Sequence, residues 1–311
     1  MRQRPLLAHA LAALLVACAA SGSEAPFDPP LPSEVDLGRR AYAHVERIVQ
    51  LGPRYPGSKA REAAADMICA RLRALDLVPI REAWFDEGEQ LRFENVRCRL
   101  RGDTDKCLII GTHYDTKLEL PAERQDQGTT FVSANDGGSG SGLLLALAEE
   151  LAARGLRRPT IELVWFDGEE SIPPLWDVDR ALYGSREFVR RHLTKGHTYG
   201  ALVLLDMVGA EDLHIDREAS SSPELYPPFE AVVKQLGYDQ HFFKTRSDVD
   251  DDHLPFLDAG LPAIDLIQFG ENPHWHRHSD RLEHVSWRSL GKVGRVVLAA
   301  LPALSARFLR A

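Results

Sequence analysis

The 311-residue sequence has no excess of basic residues, and this lack narrows the function classes open to it. Lysine and arginine number 37 against 46 aspartates and glutamates, which gives a formal net charge of −9. A protein that follows the phosphate backbone of a nucleic acid needs a basic surface. We therefore expect no nucleic-acid partner.

Other features are scarce as well. Glycine and proline are not enriched, at 23 and 19 residues, which excludes collagen-like and low-complexity chains. No internal run reaches the roughly 18 apolar residues that span a bilayer. The sequence also lacks an internal repeat and a second block of different composition. These absences predict one soluble, mildly acidic domain, typical of an enzyme.

The first residues have the composition of an export signal. Arg2 and Arg4 precede the apolar stretch LLAHALAALLVACAAS. LVAC, ending at Cys18, resembles a bacterial lipobox, in which the cysteine carries lipid, although simple signal cleavage nearby fits as well. We expect an exported protein: a periplasmic or outer-membrane lipoprotein, or a secreted one. It would be a monomer and would touch a membrane only through such a lipid anchor.

This interpretation divides the chain into three parts. The predicted segments are a signal peptide at 1–17, a flexible Pro-, Ser- and Ala-rich tether at 18–32, and a single catalytic domain at 33–311.

Two later cysteines leave an open question. Cys98 and Cys107 flank RLRGDTDK, whose Gly-Asp centre predicts a hairpin turn. A register symmetric about Gly102 and Asp103 would put the cysteines opposite each other. Because export permits oxidation, a disulfide and a pair of buried thiols both remain open.

Apolar runs and amphipathic segments alternate along the chain. LIIG, IELVWF and ALVLLD are almost continuously apolar, as expected of strands that are covered on both faces. Strands that alternate with helices predict an α/β fold: a three-layer α/β/α sandwich with a central mixed, mainly parallel sheet. Sites in such sheets form beyond the carboxyl ends of the strands.

Three polar motifs lie directly after apolar strands or in the connections between them. GTHYDT supplies His113 and Asp115, SANDGGSGSG supplies Asp136, and WFDGEES supplies Glu169 and Glu170. An acid two residues from a histidine can fix the tautomer of a metal-ligating imidazole. The alternatives are a surface pair for the histidine, a helix cap for Asp136, and a solvated acidic turn for the glutamates.

Three more motifs lie further along the chain. LLDMVG places Asp206 at the end of a strand, DVDDDHLPF contains Asp251, and NPHWHRHSD contains Trp275 and His276. Taken singly, the charged run fits a solvated loop, and the histidines fit a chance surface cluster.

The whole set favours a metal site. Nitrogen and oxygen ligands without thiolates suit a catalytic zinc ion, which needs about three protein ligands and one open position. The candidate ligands are His113, Asp136, Glu170, Asp206 and His276.

These blocks, in this order, resemble the zinc aminopeptidase superfamily and, within it, the glutaminyl-peptide cyclotransferases (glutaminyl cyclases). The resemblance covers nearly the whole chain after residue 33. The cyclase-like features are the segment SIPPLWDVDRALYGSREF, which contains Trp176, together with DDHLPF and the Trp275–His276 pair.

The resemblance implies a zinc enzyme that converts N-terminal glutaminyl residues of peptides or proteins to pyroglutamate and releases ammonia. It implies one zinc ion held by Asp136, Glu170 and His276. Its further implied roles are Glu169 as general acid/base, Asp251 and Asp206 as an acidic network, and Trp176 and Trp275 as substrate-packing residues.

Two alternatives remain at this point. A di-zinc aminopeptidase of the same fold would add His113 and Asp206 as ligands of a second ion, with Asp136 bridging the two. A non-catalytic exported binding protein is the minor alternative. The chain departs from animal cyclases at two pocket positions, where Asp265 replaces a histidine and Glu271 replaces an aromatic residue.

Overall fold

The fold is taken from a computed structural model, which describes residues 30–121, 130–155, 159–270 and 272–309. The expected signal segment 1–17, most of the expected tether and Glu271 lie outside the described residues. The division into signal, tether and domain therefore stays a prediction.

A six-stranded mixed sheet forms the centre of the protein, in the order β1-β2-β4-β3-β5-β8. β2 is antiparallel to both of its neighbours, whereas β4, β3, β5 and β8 are parallel to one another. The strands of the sheet are β1 Pro79–Asp86, β2 Leu91–Leu100, β3 Cys107–His113, β4 Thr160–Phe166, β5 Tyr199–Asp206 and β8 Ala263–Ile267.

Helices cover both faces of the sheet, which confirms the predicted three-layer α/β/α sandwich. On β3, Leu108 and Ile110 join the larger core cluster with α1, α3 and α7, while Ile109 joins a second cluster with α4 and α6. The helices are α1 Glu34–Gln50, α2 Lys59–Arg73, α3 Gly138–Ala153, α4 Tyr183–His192, α5 Tyr226–Leu236, α6 Leu254–Asp258 and α7 Trp287–Phe308.

The predicted hairpin between Cys98 and Cys107 is wrong. β4 lies between β2 and β3 in the sheet, so Cys98 is opposite Leu163 and Cys107 is opposite Thr160. Both cysteines are buried thiols. The turn residues do reverse the chain, but the reversed strand pairs one position further along the sheet.

A small parallel sheet, β6 Ile215–Glu218 and β7 Phe242–Ser247, was not predicted from the sequence. α7 is long and apolar enough to cross a membrane by length and composition alone. However, 67% of its apolar window is buried inside the protein, as in a core helix.

Candidate active site

The predicted site residues leave the central sheet at one edge. β3 ends at His113, β4 at Phe166 and β5 at Asp206, and the three strands are parallel neighbours. The carboxyl ends of parallel neighbours meet at one edge of a sheet. Glu169 and Glu170 follow β4 directly and therefore reach the same place.

Asp136, Glu170 and His276 form one compact cluster, with one ligand atom from each within 4.8 Å of the others. His276 Nε2 lies 3.1 Å from Glu170 Oε2 and 3.6 Å from Asp136 Oδ2. All three residues are buried. Across the described ranges, nothing donates a hydrogen bond to Asp136 Oδ2 or to either Glu170 oxygen. Buried oxygens left in this state cost free energy unless a cation binds them.

A second cluster shares Asp136. His113 Nε2 lies 3.2 Å from Asp136 Oδ1 and 3.1 Å from Asp206 Oδ1, and these three residues also have the spacing of a metal site. Burial alone would lower the pKa of the His113 imidazole, but the surrounding carboxylates, among them Asp115, raise it well above its usual value. The arrangement can therefore hold one cation or two that share Asp136.

The surface, helix-cap and solvated-turn interpretations of these motifs are wrong. His113 is 1% exposed, and Glu169 and Glu170 are also buried. The residue that caps α3 is Gly137, and Asp136 points into the cluster instead. Gly137 has φ +70°, and a Cβ there would lie 2.8 Å from His113 Cε1. Glycine is therefore required for the loop to approach the histidine.

The two adjacent glutamates after β4 differ in their surroundings. Burial alone would raise the pKa of the Glu170 carboxyl. The neighbouring His276 and the buried Lys117 outweigh that effect and lower this pKa to about 2. Burial raises the pKa of Glu169 well above its usual range, with further contributions from the neighbouring carboxylates, Asp251 first among them. Neighbouring carboxyls with such opposed environments are typical of a division between charged ligand and proton carrier.

Backbone contacts hold these side chains in place. Asp115 accepts hydrogen bonds from the backbone N–H groups of Glu169, at 3.2 Å, and of Glu170, at 3.4 Å. It also lies 3.4 Å from His113 Nδ1, as expected for a carboxylate that orients an imidazole. Asp280 accepts hydrogen bonds from the backbone N–H groups of Asn135, at 2.8 Å, and Asp136, at 3.0 Å.

Sequence reasoning missed two buried cations of the site. Lys117 donates to the Ser171 carbonyl at 3.0 Å and lies 3.7 Å from Glu170 Oε2. Arg54 donates to the carbonyls of Tyr114, Val132 and Ser133. The lysine could have been found as a charged residue two positions after the HYD motif. The arginine gave no signal, because its partners are distant in sequence.

A cavity of about 280 Å³ adjoins the Asp136–Glu170–His276 cluster. Glu169, Asp206 and Asp251 line its inner end. Trp275 lines its wall, with its ring stacked at 4.2 Å on that of His276. Trp176 lines it as well and donates a hydrogen bond from Nε1 to Asp250 Oδ2 at 3.1 Å.

The loop that contains Asp251 is only partly solvated. Asp248 and Asp250 are exposed, whereas Asp251, Asp252 and His253 are buried. Burial, together with its carboxylate neighbours, raises the pKa of Asp251 well above its usual range. The solvated-loop interpretation therefore holds for the first part of the run only.

Asp265 lies behind Asp251 and is not among the residues that line the cavity. It is fully buried, and its Oδ2 lies 3.9 Å from His253 Nδ1. His253 Nε2 in turn lies 3.2 Å from Glu218 Oε2. The expectation that Asp265 occupies a pocket position is therefore wrong: it lies behind the lining, where one side-chain atom each of Asp251, His253 and Asp265 lies within 4.8 Å of the others.

Comparison with known proteins identifies the family. The model of peptidase family M28 matches residues 95–301, two thirds of the chain. The chain belongs to peptidase family M28. The matched region contains six of the site residues described above: His113, Asp136, Glu169, Glu170, Asp206 and His276.

The proteins that this chain is similar to carry two kinds of name. The glutaminyl-peptide cyclotransferase of Boiga irregularis is 26% identical over 286 residues, covering 78% of this chain and 75% of its own. The crystal structure of an Acidobacteriales bacterium glutaminyl cyclase is 29% identical, with a TM-score of 0.81, covering 91% of this chain and 99% of its own. The structure of a leucine aminopeptidase precursor from Bacteroides thetaiotaomicron is 26% identical, with a TM-score of 0.78, covering 85% of this chain and 96% of its own.

These similarities confirm the resemblance to the cyclase branch and the fold that it implied. They also indicate an enzyme rather than a non-catalytic binding protein. A protein named as a glutaminyl cyclase and a protein named as an aminopeptidase precursor both share the fold, so the chemistry depends on the residues of the site.

Proposed function

We propose that this protein is a zinc-dependent glutaminyl-peptide cyclotransferase. It converts an N-terminal glutaminyl residue of a peptide or protein to pyroglutamate and releases ammonia. The observation that carries the proposal is the cavity beside the Asp136–Glu170–His276 cluster. It is small, has three carboxyl groups at its inner end, and is walled by Trp176 and Trp275.

The donor set fits a zinc ion. Asp136, Glu170 and His276 offer two carboxylates and an imidazole without a thiolate, which is the chemistry of a catalytic rather than a structural zinc site. The buried oxygens without hydrogen-bond donors support the same assignment. Zinc bound there would supply a Lewis acid for the amide oxygen of the substrate side chain.

Glu169 is the proposed proton carrier. The substrate α-amine attacks its own side-chain amide carbon, so a C–N bond forms and the bond to the terminal amide nitrogen breaks. Glu169 accepts the proton that the amine loses and returns it to the departing nitrogen, which leaves as ammonia. Burial and the neighbouring carboxylates raise the pKa of Glu169, and a carboxylate with a raised pKa is a stronger base for this proton transfer.

Asp251 and Asp206 have a supporting role in this proposal. Both line the inner end of the cavity, and two carboxyls close together resist ionising at the same time. One shared proton leaves one oxygen to accept a hydrogen bond from the leaving NH₂ group. Asp251 is the proposed contact with that group.

Positioning supplies much of the rate, because the nucleophile belongs to the substrate. Well-oriented intramolecular attack is worth roughly 7–11 kcal/mol. Trp176 and Trp275 are proposed to hold the folded-back side chain and to exclude water. Phe269 packs edge-on against Trp275 at 4.9 Å between ring centroids and supports that wall.

A direct assay tests the proposal. The purified, zinc-loaded protein is incubated with a peptide that begins with glutamine, and the product is analysed by mass spectrometry and ammonia release. Loss of ammonia with unchanged chain length supports a cyclase. Shortening by one residue contradicts it.

The second candidate is a di-zinc aminopeptidase. The His113–Asp136–Asp206 cluster favours it, because these residues have the spacing of a second metal site. In that enzyme Glu169 would activate a water molecule. Two tightly bound zinc ions per chain, together with release of free amino acids, would support this candidate against the cyclase.

The proposed cellular setting follows from the sequence. The basic and apolar N-terminal segment supports export, and Cys18 supports lipid anchoring. We also keep the predictions that the protein is a monomer and that the N-terminus of a peptide or protein is its substrate.

A further inference from the structure

The mouth of the cavity combines acidic and aromatic side chains. The ligands and the inner carboxyls that line the cavity are buried, so the lining residues that reach solvent mark where it opens. Those residues are Trp176, Asp248, Asp250, Phe269 and Trp275.

The mouth has uncompensated negative charge. Of the described residues that line the cavity, none is lysine or arginine. Asp248 and Asp250 are exposed, and neither forms an ion pair with a basic residue of the described ranges. Asp250 also accepts the hydrogen bond from Trp176 Nε1, so a carboxylate lies at the edge of an indole ring at this opening.

This combination suits a cation. An ammonium or guanidinium group is attracted by carboxylates and also by the face of an indole ring. Deeper in the same cavity, Asp251 Oδ2 is a buried oxygen without a hydrogen-bond donor from the described chain, and Asp251 and Asp206 keep one negative charge between them when they share a proton. Because the walls are apolar and partly exclude water, the field of these charges is concentrated toward the opening.

The path of a peptide substrate leads past these residues. With the N-terminal glutamine inside the cavity, the rest of the peptide must leave through the mouth. The second residue is therefore the first to meet Asp248 and Asp250. We propose that the mouth selects peptides in which arginine or lysine follows the N-terminal glutamine. This inference rests on the proposed cyclase function and adds its substrate class.

The expected preference is moderate because the two aspartates are exposed. An exposed ion pair changes binding by about twofold to fivefold, so the two aspartates together should favour Gln-Arg over Gln-Glu peptides by about tenfold in kcat/KM. The difference should lie mainly in KM, since the charge acts outside the reacting atoms. At about 1 M salt, where the Debye length is about 3 Å, the preference should nearly vanish.

The test compares three peptides that differ only in the second residue: Gln-Arg, Gln-Ala and Gln-Glu. Ammonia release is measured at low and high salt with wild-type protein, D248N and D250N. Asparagine at 250 keeps an oxygen that can accept from Trp176 Nε1 and removes only the charge. D258N is the matched control, because Asp258 is an exposed aspartate at the end of α6, outside the cavity.

We expect each cavity-mouth variant to reduce the Gln-Arg preference by about twofold to fivefold and D258N to leave it unchanged. D248K should reverse the preference. Equal kcat/KM for the three peptides, with Gln-Ala turned over normally, would overturn this inference and leave the cyclase function standing. Absence of turnover with all three peptides would overturn the proposed function and this inference with it.

Discussion

Replacement of Glu169 by glutamine is the sharpest test of the mechanism. The substitution keeps the shape of a buried side chain and removes its ability to carry a proton. Glu169 lies beside the metal cluster and not within it: its Oε2 is 3.9 Å from His113 Nδ1, and the Asp136–Glu170–His276 set is complete without it. Zinc binding should therefore survive the change.

The expected loss follows from the role. General acid–base catalysis contributes about 10²- to 10⁴-fold, which corresponds to about 3–5.5 kcal/mol of transition-state stabilisation. We expect kcat for ammonia release from a Gln-Ala peptide to fall by that factor in E169Q, with KM changed by less than about threefold. Zinc content, measured by elemental analysis, should stay at the wild-type value.

The adjacent residue supplies the control. E170Q removes a proposed ligand and should lose both zinc and activity. Two results would refute the division of roles: E169Q with activity within about threefold of wild type, or E169Q that loses its zinc together with its activity.

The remaining predictions concern the requirement for zinc, the aromatic wall of the cavity, and the stability of the folded protein. Chelation should abolish activity, and one equivalent of zinc should restore it, as measured by titration against ammonia release; a need for two equivalents contradicts the single-ion proposal. W176A should raise KM about tenfold or more, because the wall loses one of its two indole rings; unchanged KM contradicts its contact with substrate. Burial alone would raise the pKa of Glu149, but hydrogen bonds from His44, Arg40 and Arg71 lower this pKa to about 2. The stabilisation that Glu149 provides is therefore complete above about pH 4.5 and is lost as the pH falls toward 2. E149Q should cost about 1–2 kcal/mol at pH 7 and almost nothing near pH 2 in urea unfolding; an equal cost at both values contradicts the network.

Much of the central sheet could be predicted because its strands are buried on both faces. The run IELVWF predicted a strand, and the structure has β4 there, with one more residue, Thr160, at its start and Phe166 at its end. A serine comes directly before each of α1 and α2, at Ser33 and Ser58, and its side chain accepts a backbone hydrogen bond from the first turn; such a residue is a local signal for the start of a helix. Such signals are local, so sequence alone carries them.

The order of the strands in the sheet was harder to predict from the sequence. The Gly-Asp turn after β2 predicted a reversal correctly but the wrong partner, because a turn residue fixes local backbone geometry and does not determine which strand fills the adjacent place. β6 and β7 escaped prediction for another reason. Ile215–Glu218 and Phe242–Ser247 are short and carry charged residues, so neither gives the apolar run that marks a buried strand.

Some site residues could likewise be predicted from the sequence, and others could not. His113, Glu170 and Asp206 were visible because each follows an apolar strand, and strand order then brings them together. Arg54 was not, since its partners are backbone carbonyls some 60 and more residues away. Backbone carbonyls look the same at every position in a sequence, so a residue that binds them leaves no pattern to read.

The choice between cyclase and peptidase chemistry depends on what reaches the substrate amide carbon. A hydrolase must admit water beside the metal, whereas a cyclase must exclude it and fold the α-amine of the substrate back onto its own side chain. Candidate ligands for both arrangements are present in this chain, and Asp136 belongs to both clusters. In the proposed function the aromatic wall is therefore the feature that separates the two. Trp275 is stacked on the proposed ligand His276, and Trp176 is hydrogen-bonded to Asp250 in the loop that contains Asp251. Opening that wall should slow cyclisation more than it weakens zinc binding, and a wall variant with equal losses in both would show that the ligands alone decide the chemistry.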